Sequence, residues 1–251
     1  KVIILKIEEL DKNFKLTEID RTDVKLYDVR EAPFTLYGHE ENESDTLFRR
    51  MPSDKAAAVN DGVKWLHTNT AGIRVRFMTD SPFVAIRATC PCPCLMPHMT
   101  AIGHNGFDLY EDDRFTGSFQ PRINQSGNCY TLPNTYEKLI ELKQQGLHTI
   151  TVNFPLYTNV SSLLIGLQEN ALVSAAPAYR YEKPVVYYGS SITQGGCASR
   201  PGNSYQAIIS RRLNCDYRNL GFSGNAKGEQ TMADYLADLP MSVFVLDYDH
   251  N

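Results

Sequence analysis

The sequence predicts an N-terminal β-sandwich of the jelly-roll kind, followed by the start of a doubly wound, parallel α/β domain. Between residues 24 and 175, short alternating or apolar runs are separated by turns, as is typical of all-β domains. Residues 172–184 are rich in small residues, charges and prolines. After them, apolar runs alternate with stretches of helical period. We therefore expect a sandwich domain over residues 1–178 and an α/β domain over residues 179–251.

The predicted strands of the first half are short and end at turn residues. The clearest pair covers residues 72–78 and 83–88, which alternate in polarity on either side of a Thr-Asp-Ser-Pro turn and predict a hairpin. Further strands are predicted at residues 24–27, 34–37, 63–67, 107–110, 116–119, 137–142, 149–154 and 162–167. Strands at this spacing predict two packed sheets.

The second half opens with a β-branched and aromatic run at residues 185–188, which predicts a strand buried on both faces. Asn203 is a candidate cap for a helix whose apolar positions recur at helical spacing. Residues 216–220 and 243–246 predict two more strands, the last of them buried, and residues 229–237 predict the helix between them. This order is that of a doubly wound sheet.

The composition excludes several kinds of partner. A net charge of −4 without long single-sign runs gives no basic surface for nucleic acid or an anionic membrane. No apolar stretch reaches the ~20 residues that span a bilayer. The cysteines of Cys90-Pro-Cys92-Pro-Cys94 do not have the spacing of a zinc site, so we expect no metal, and a disulfide stays open for an exported protein.

Three loops of the second half carry groups suited to acyl transfer. Each directly follows a predicted parallel strand, at residues 189–193, 221–225 and 247–251. The carboxyl ends of parallel strands meet at one edge of a sheet. A serine hydroxyl, a glycine N–H and an asparagine amide would therefore face the same small volume, as an ester-cleaving site requires.

The sequences of these loops also resemble a known family. Gly-Ser-Ser-Ile-Thr-Gln-Gly at residues 189–195 resembles the first block of the SGNH (GDSL-type) esterases, with Ser190 where that family usually has aspartate. Phe-Ser-Gly-Asn at residues 222–225 resembles the second block, and His250-Asn251 resembles the third. The first two blocks together are the more specific match.

The resemblance implies a flavodoxin-like catalytic domain that needs no cofactor. Ser191 would be the nucleophile, and the backbone N–H of Gly224 and the side-chain amide of Asn251 would form the oxyanion hole. Gly-Phe-Asp-Leu-Tyr at residues 106–110 is similar to the Gly-x-Asp-Leu-Tyr signature of a β-domain that precedes SGNH hydrolases in some bacterial proteins. The resemblance therefore covers most of the chain.

The family's fourth block, Asp-x-x-His, supplies the general base and the acid that orients it. Three interpretations are open: the domain is incomplete and this block follows Asn251, Asp247 and His250 supply it, or the base comes from elsewhere. The first is favoured, because a domain with about three parallel strands would leave a sheet edge uncovered.

The expected activity is hydrolysis of carboxylic esters. Resemblance to two-domain bacterial carbohydrate esterases implies O-acetyl or acyl groups on a small or polymeric carbohydrate, with Trp65 among the aromatic residues that could stack on sugar rings and a lipid ester as the rival substrate. We expect a periplasmic or secreted protein, because the sequence starts with Lys1 rather than Met and is compatible with the removal of a leader; a cytoplasmic location stays open. The alternative function is a non-catalytic carbohydrate-binding or interaction module that carries an incomplete esterase domain.

Overall fold

The structure, a computed structural model, describes residues 19–41, 46–126 and 128–248. Its strands, in chain order, are β1 (Val24–Asp28), β2 (Thr35–Tyr37), β3 (Arg74–Thr79), β4 (Phe83–Thr89), β5 (Phe107–Glu111), β6 (Arg114–Phe119), β7 (Asn124–Ser126), β8 (Cys129–Thr131), β9 (Thr135–Glu141), β10 (His148–Asn153), β11 (Ser162–Gln168), β12 (Val173–Ser174), β13 (Tyr181–Gly189), β14 (Cys215–Gly221) and β15 (Val243–Asp247). Its helices are α1 (Ser53–Val59), α2 (Asp61–Leu66), α3 (Ala101–Asn105), α4 (Ser191–Gln194), α5 (Tyr205–Leu213) and α6 (Gln230–Ala237).

Two antiparallel sheets pack face to face in the first part of the chain. One has the strand order β1-β11-β4-β9, and the other has the order β12-β3-β10-β5-β6, with β2 also paired to β3. Successive residues of a strand point to opposite faces, so alternate apolar side chains of both sheets meet in a shared core. The fully buried members of this core include Phe77, Ile86, Leu109, Ile150 and Ile165.

A third sheet is parallel and has the order β14-β13-β15. Val186, Leu220 and Phe222 on one of its faces pack against α1, α2 and α6. Tyr187 and Tyr217 on the other face pack against α5. The predicted fold class, a β-sandwich followed by part of a parallel α/β domain, is confirmed. The division of the chain at residue 178 stays a prediction.

The strand predicted at residues 63–67 is wrong, because these residues belong to α2 and the turn that ends it. Asn60 caps this helix, since its Oδ1 accepts a hydrogen bond from Val63 N at 2.8 Å. Together with α1 and α3, α2 lies in the half that the sequence predicts to be all-β. The apolar side chains of α1 and α2 face the parallel sheet, which explains why a helical layer interrupts the sandwich sequence.

The hairpin predicted over residues 72–88 is also wrong. Phe77 of β3 pairs with Ile150 of β10 in one sheet, whereas Ile86 of β4 pairs with Ile165 of β11 in the other. The connection between β3 and β4 therefore crosses from sheet to sheet. Both kinds of connection join two strands of alternating polarity through a short turn, so local pattern does not separate them.

Two expectations for the second half need correction. The strand predicted as buried, β15, is at an edge of the parallel sheet in the described residues, and its Phe244 and Leu246 are 43% and 56% exposed. Asn203 does not cap α5, because Ser204 occupies the position before the helix. Asn203 lies in a preceding 3-10 turn, and its Nδ2 donates to Ser199 Oγ at 2.9 Å.

A buried arginine, Arg50, joins the sandwich half to the parallel sheet. The guanidinium of Arg50 donates to the backbone carbonyls of Asn219 at 3.1 Å, Gly221 at 2.6 Å and Leu66 at 2.7 Å. Arg50 is 1% exposed, and burial lowers its pKa to about 9, so it remains a cation at neutral pH. The three carbonyls replace the water that this charge loses.

Across the described residues, we find no helix with both the length and the apolar character needed to cross a bilayer.

Candidate active site

The three predicted loops leave the parallel sheet at the same edge. In the strand register, Gly189 at the end of β13 lies beside Gly221 at the end of β14 and beside Asp247 at the end of β15. Phe222 N donates to the carbonyl of Gly189 at 2.8 Å, so the loop after β14 stays against the loop after β13. Ser191 follows in the first position of α4. The sheet thus brings the start of each loop to one place.

Ser191 combines a fixed backbone with a hydroxyl that has no hydrogen-bond partner among the described residues. Its carbonyl accepts from the N–H groups of Gly195 at 3.0 Å and Gly196 at 2.7 Å, and from the hydroxyl of Tyr157 at 3.1 Å. Burial raises the pKa of Tyr157, so its phenol is protonated and donates. The Ser191 side chain is half-buried, which leaves it accessible to a small reactant.

Gly224 is hydrogen-bonded to Ser190, the residue before Ser191. Its N–H donates to Ser190 Oγ at 3.2 Å, and Ser190 is 6% exposed. Gly224 has a φ of +66°, in the left-handed region that favours glycine. A Cβ on Gly224 would meet no atom within 4 Å. The backbone of Gly224 therefore borders open space, and Ser190 takes the place of the aspartate found in the resembled family.

A buried glutamine ties both loops to the sandwich. Gln194 Oε1 accepts from Ser223 N at 2.9 Å, next to Gly224. Its Nε2 donates to the carbonyl of Leu156 at 3.2 Å and to Asn69 Oδ1 at 3.3 Å. Because Gln194 is fully buried, these hydrogen bonds form away from water and fix the relative positions of the first two loops.

Two predicted residues of the third loop, His250 and Asn251, lie outside the described residues. Asp247, which the sequence pairs with His250, accepts a hydrogen bond from Thr193 Oγ1 at 3.1 Å. None of the five described histidines is hydrogen-bonded to Ser191; they are His39, His67, His98, His104 and His148. The structure thus leaves all three interpretations of the base open.

Several residues around this edge could not be found by motif. Arg50, Asn69 and Tyr157 come from the sandwich half, far from the loops in sequence. Gln194 lies inside the first motif, but the residues beside it in sequence do not indicate that its side chain contacts both the sandwich half and the loop of Gly224. Only the three-dimensional contacts reveal these four residues.

No group of His, Cys, Asp and Glu in the described residues is arranged to hold a metal ion. The six cysteines, all of them in the described ranges, are free thiols. The arrangement at the sheet edge therefore offers a hydroxyl and backbone donors as its chemical groups.

An apolar groove of about 540 Å³ lies between α6 and β15. Its lining includes Met232, Leu236, Leu239 and Phe244, whereas neither Ser191 nor Gly224 lines it. This groove is therefore separate from the three loops.

A β-sandwich joined to a parallel sheet with Gly-Ser-Ser at a strand end is the arrangement of a GDSL-like hydrolase. Residues 24–173 match the family model for the GxDLY N-terminus of SGNH-hydrolase-type esterases, and residues 182–251 match that of the GDSL-like lipase/acylhydrolase family. The chain belongs to the SGNH-hydrolase-type esterases that carry the GxDLY N-terminus, as its sequence motifs predict.

Two solved structures have folds similar to that of this chain. A Bacteroides ovatus ATCC 8483 protein described as a GDSL-like lipase is 31% identical, with a TM-score of 0.80; the match covers 91% of this chain and 65% of that one. The salicylyl-acyltransferase SsfX3 from a tetracycline biosynthetic pathway is 17% identical, with a TM-score of 0.69, and the match covers 90% of this chain and 62% of that one. The chain thus spans just under two thirds of the length of these proteins.

A family two carbohydrate esterase from Cellvibrio japonicus aligns more loosely, at 12% identity and a TM-score of 0.47, over 80% of this chain and 53% of that one. No curated protein matches the sequence of this chain.

Proposed function

We propose that the protein is a serine esterase in which Ser191 attacks the carbonyl carbon of a carboxylic ester. The observation that carries the proposal is the strand register, which sets the ends of β13, β14 and β15 side by side. Two further observations support it: no described residue is hydrogen-bonded to the Ser191 hydroxyl, and open space lies beside Gly224. Membership of the GDSL-like family supports the reaction class.

In the proposed reaction, Ser191 Oγ adds to the ester carbonyl while a histidine base takes the hydroxyl proton. That histidine is His250, a histidine that follows Asn251, or one donated from elsewhere. The negative charge on the carbonyl oxygen would be held by the backbone N–H groups of Ser191 and Gly224 and by the amide of Asn251. The base then protonates the departing alcohol, and water cleaves the acyl-serine intermediate by the same steps.

Ser190 would prepare Gly224 for this role. In the structure, the Gly224 N–H points to the hydroxyl of Ser190 over a long 3.2 Å contact. An oxyanion is a stronger acceptor than a hydroxyl, so the N–H would turn to it or be shared when the tetrahedral intermediate forms. Ser190 thus keeps the N–H oriented without binding it tightly.

The alcohol part of the substrate is proposed to be a carbohydrate. Trp65 on α2 is 66% exposed, which is unusual for so large an apolar side chain. One helical turn earlier, Gly62 lies against Asn225 so closely that a Cβ would overlap its side chain. Gly62 and Trp65 are three residues apart on α2 and are therefore neighbours on its surface, so we infer that a sugar ring bound beside the loop of Gly224 would stack on the indole.

Replacement of Trp65 by alanine is expected to raise KM for an acetylated oligosaccharide about fivefold, because about 1 kcal/mol of stacking is lost. The KM for p-nitrophenyl acetate, which has no sugar, should not change. Steady-state kinetics with both substrates measure the difference. Equal KM values for wild type and Trp65→Ala on the oligosaccharide would remove the support for a carbohydrate substrate.

The esterase proposal itself is tested by turnover of p-nitrophenyl acetate and by covalent labelling of Ser191 with a fluorophosphonate, in the full-length gene product. The alternative, a binding module with an inert esterase domain, predicts neither.

A polysaccharide substrate would also fit the periplasmic or secreted location expected from the sequence, and fractionation of native cells would test that location.

A further inference from the structure

The last four residues of the Gly-x-Asp-Leu-Tyr signature lie on β5, and their side chains point to two opposite faces. Phe107 and Leu109 face the sandwich core, where both are fully buried. Asp108 and Tyr110 point to the opposite face, as the two-residue period of a strand requires. That face is covered by the segment before α5, which belongs to the parallel α/β half. The signature thus contributes to the sandwich core on one face of β5 and contacts the parallel α/β half on the other.

Asp108 is a buried carboxylate that takes most of its partners from the other half of the molecule. It is 0% exposed. Its Oδ1 accepts from Asn153 Nδ2 at 2.9 Å, within the sandwich. Its Oδ2 accepts from Gly202 N at 2.8 Å and lies 3.5 Å from Arg200 Nε. Burial raises the pKa of Asp108 to about 6, so the group is ionised at neutral pH and needs these donors.

Tyr110 packs closely against the same turn, at Gly202. A Cβ at Gly202 would lie 2.5 Å from the Tyr110 ring and 2.8 Å from Asp108 Oδ2, so only glycine fits between them. Arg211 of α5 donates to the Gly202 carbonyl at 2.7 Å, and its guanidinium lies 4.1 Å from the centre of the Tyr110 ring. The turn at Gly202 is therefore held from both its N–H and its carbonyl side.

The turn is connected directly to the helix of the proposed nucleophile. It leads into α5, whose first two residues contact Thr193 in α4. Gln206 Nε2 donates to the Thr193 carbonyl at 2.6 Å, and the hydroxyls of Tyr205 and Thr193 lie 3.3 Å apart. Thr193 is fully buried and two residues from Ser191. A shift of the turn would thus move the start of α5 and, through Thr193, the helix that carries Ser191.

We propose that Asp108 is a positioning residue for the esterase site: it fixes the Arg200–Gly202 turn and thereby the placement of α5, Thr193 and Ser191. The catalytic consequence rests on the proposed function, whereas the effect on the turn does not. The sandwich is then a part of the catalytic unit and more than an attached module. A displacement of about 1 Å at a reacting group is enough to slow catalysis by up to about 10²-fold.

The test compares Asp108→Ala with Glu111→Ala in the full-length protein. Glu111 lies on the same strand and is 1% exposed, but its carboxylate accepts from the backbone N–H groups of Lys143 and Gln144, inside the sandwich. Both variants remove a buried carboxylate, and only the first affects the other half. The first readout is hydrogen exchange of the backbone amides of residues 193–206, and the second is steady-state kinetics.

Asp108→Ala is expected to increase exchange in residues 193–206 about tenfold and to lower kcat about tenfold, with KM within about twofold. Glu111→Ala should change neither. Asp108→Asn should restore most of kcat, because the amide keeps an oxygen for Gly202 N and, with Asn153 turned over, an N–H for the oxygen of Asn153.

Equal exchange of residues 193–206 in the two alanine variants would overturn the proposal. If Asp108→Ala does not fold, Arg200→Met takes its place, because the Arg200 side chain is partly exposed and its loss should be tolerated. Exchange of residues 193–206 in Arg200→Met should rise above the wild-type rate, by less than the roughly tenfold expected for Asp108→Ala. Unchanged exchange in Arg200→Met would count against the proposal. Absence of turnover in the wild type would contradict the esterase function alone, because exchange is measured without it.

Discussion

Replacement of Ser191 by alanine is expected to lower turnover of p-nitrophenyl acetate by about 10³- to 10⁶-fold and to abolish labelling by a fluorophosphonate. The reason is that the ester carbonyl and the probe both react with the hydroxyl oxygen, which alanine lacks. Stability should change little, since the Ser191 hydroxyl has no hydrogen-bond partner among the described residues. Mass spectrometry of the labelled protein identifies the modified residue.

Two neighbouring serines provide controls for this experiment. Ser190→Ala should keep the label on Ser191 but reduce kcat up to about tenfold, because Gly224 N loses the hydroxyl that orients it. Ser199→Ala should behave as wild type, since Ser199 is exposed and its hydroxyl contacts Asn203. A label that survives in Ser191→Ala and disappears in Ser190→Ala would make Ser190 the nucleophile.

Replacement of Arg50 by methionine is expected to lower the free energy of unfolding by about 3 kcal/mol or more. The change removes three hydrogen bonds that a charged group donates. The buried carbonyls of Leu66, Asn219 and Gly221 then lose this donor. The midpoint of thermal unfolding should fall by roughly 6–12 °C. Because Gly221 begins the loop of Gly224, we expect kcat/KM to fall as well.

Arg114→Met is the control for this prediction. Arg114 begins β6 in the sandwich, and its side chain is exposed. Substitution of an exposed residue of this kind changes the free energy of unfolding by about 0.5 kcal/mol or less, so the control should unfold within a few degrees of wild type. Differential scanning calorimetry compares the two variants. An Arg50→Met protein as stable as Arg114→Met would show that the Arg50 contacts do not hold the halves together.

The position of Ser191 was predictable because local chemistry and topology agree there. The run that forms β13 ends at a glycine, and parallel strands must end at a common edge. The register of Gly189, Gly221 and Asp247 confirms that the three loops begin together. The strands of the sandwich followed from the two-residue period in the same way.

Other features could not be predicted, since they depend on contacts between distant segments. The apolar side chains within residues 63–67 have a spacing that suits either a strand or a helix. These residues form a helix because their apolar side chains pack against the face of the parallel sheet. The turn between β3 and β4 resembles a hairpin turn in sequence. The two strands lie in different sheets because β3 pairs with β10 and β4 pairs with β11. The Asn60 cap was the local signal that could have identified α2.

The same reason explains the missed contributors to the candidate site. Tyr157 and Asn69 reach Ser191 and Gln194 from sandwich loops, across sequence separations of 34 and 125 residues. Nothing in the residues around them suggests such a contact. A motif identifies residues whose role follows from their neighbours in sequence, and these two have roles only in the assembled molecule.

The cover that α1 and α2 provide for the parallel sheet limits how this architecture can be divided. A fragment beginning at residue 179 would expose part of the apolar surface formed by Val186, Leu220 and Phe222 to water, and such surface favours aggregation. A chimera that joined the parallel α/β half to an unrelated domain would therefore need other apolar residues to cover this face of the sheet. The parallel sheet thus depends on residues before position 67 to keep this surface out of water.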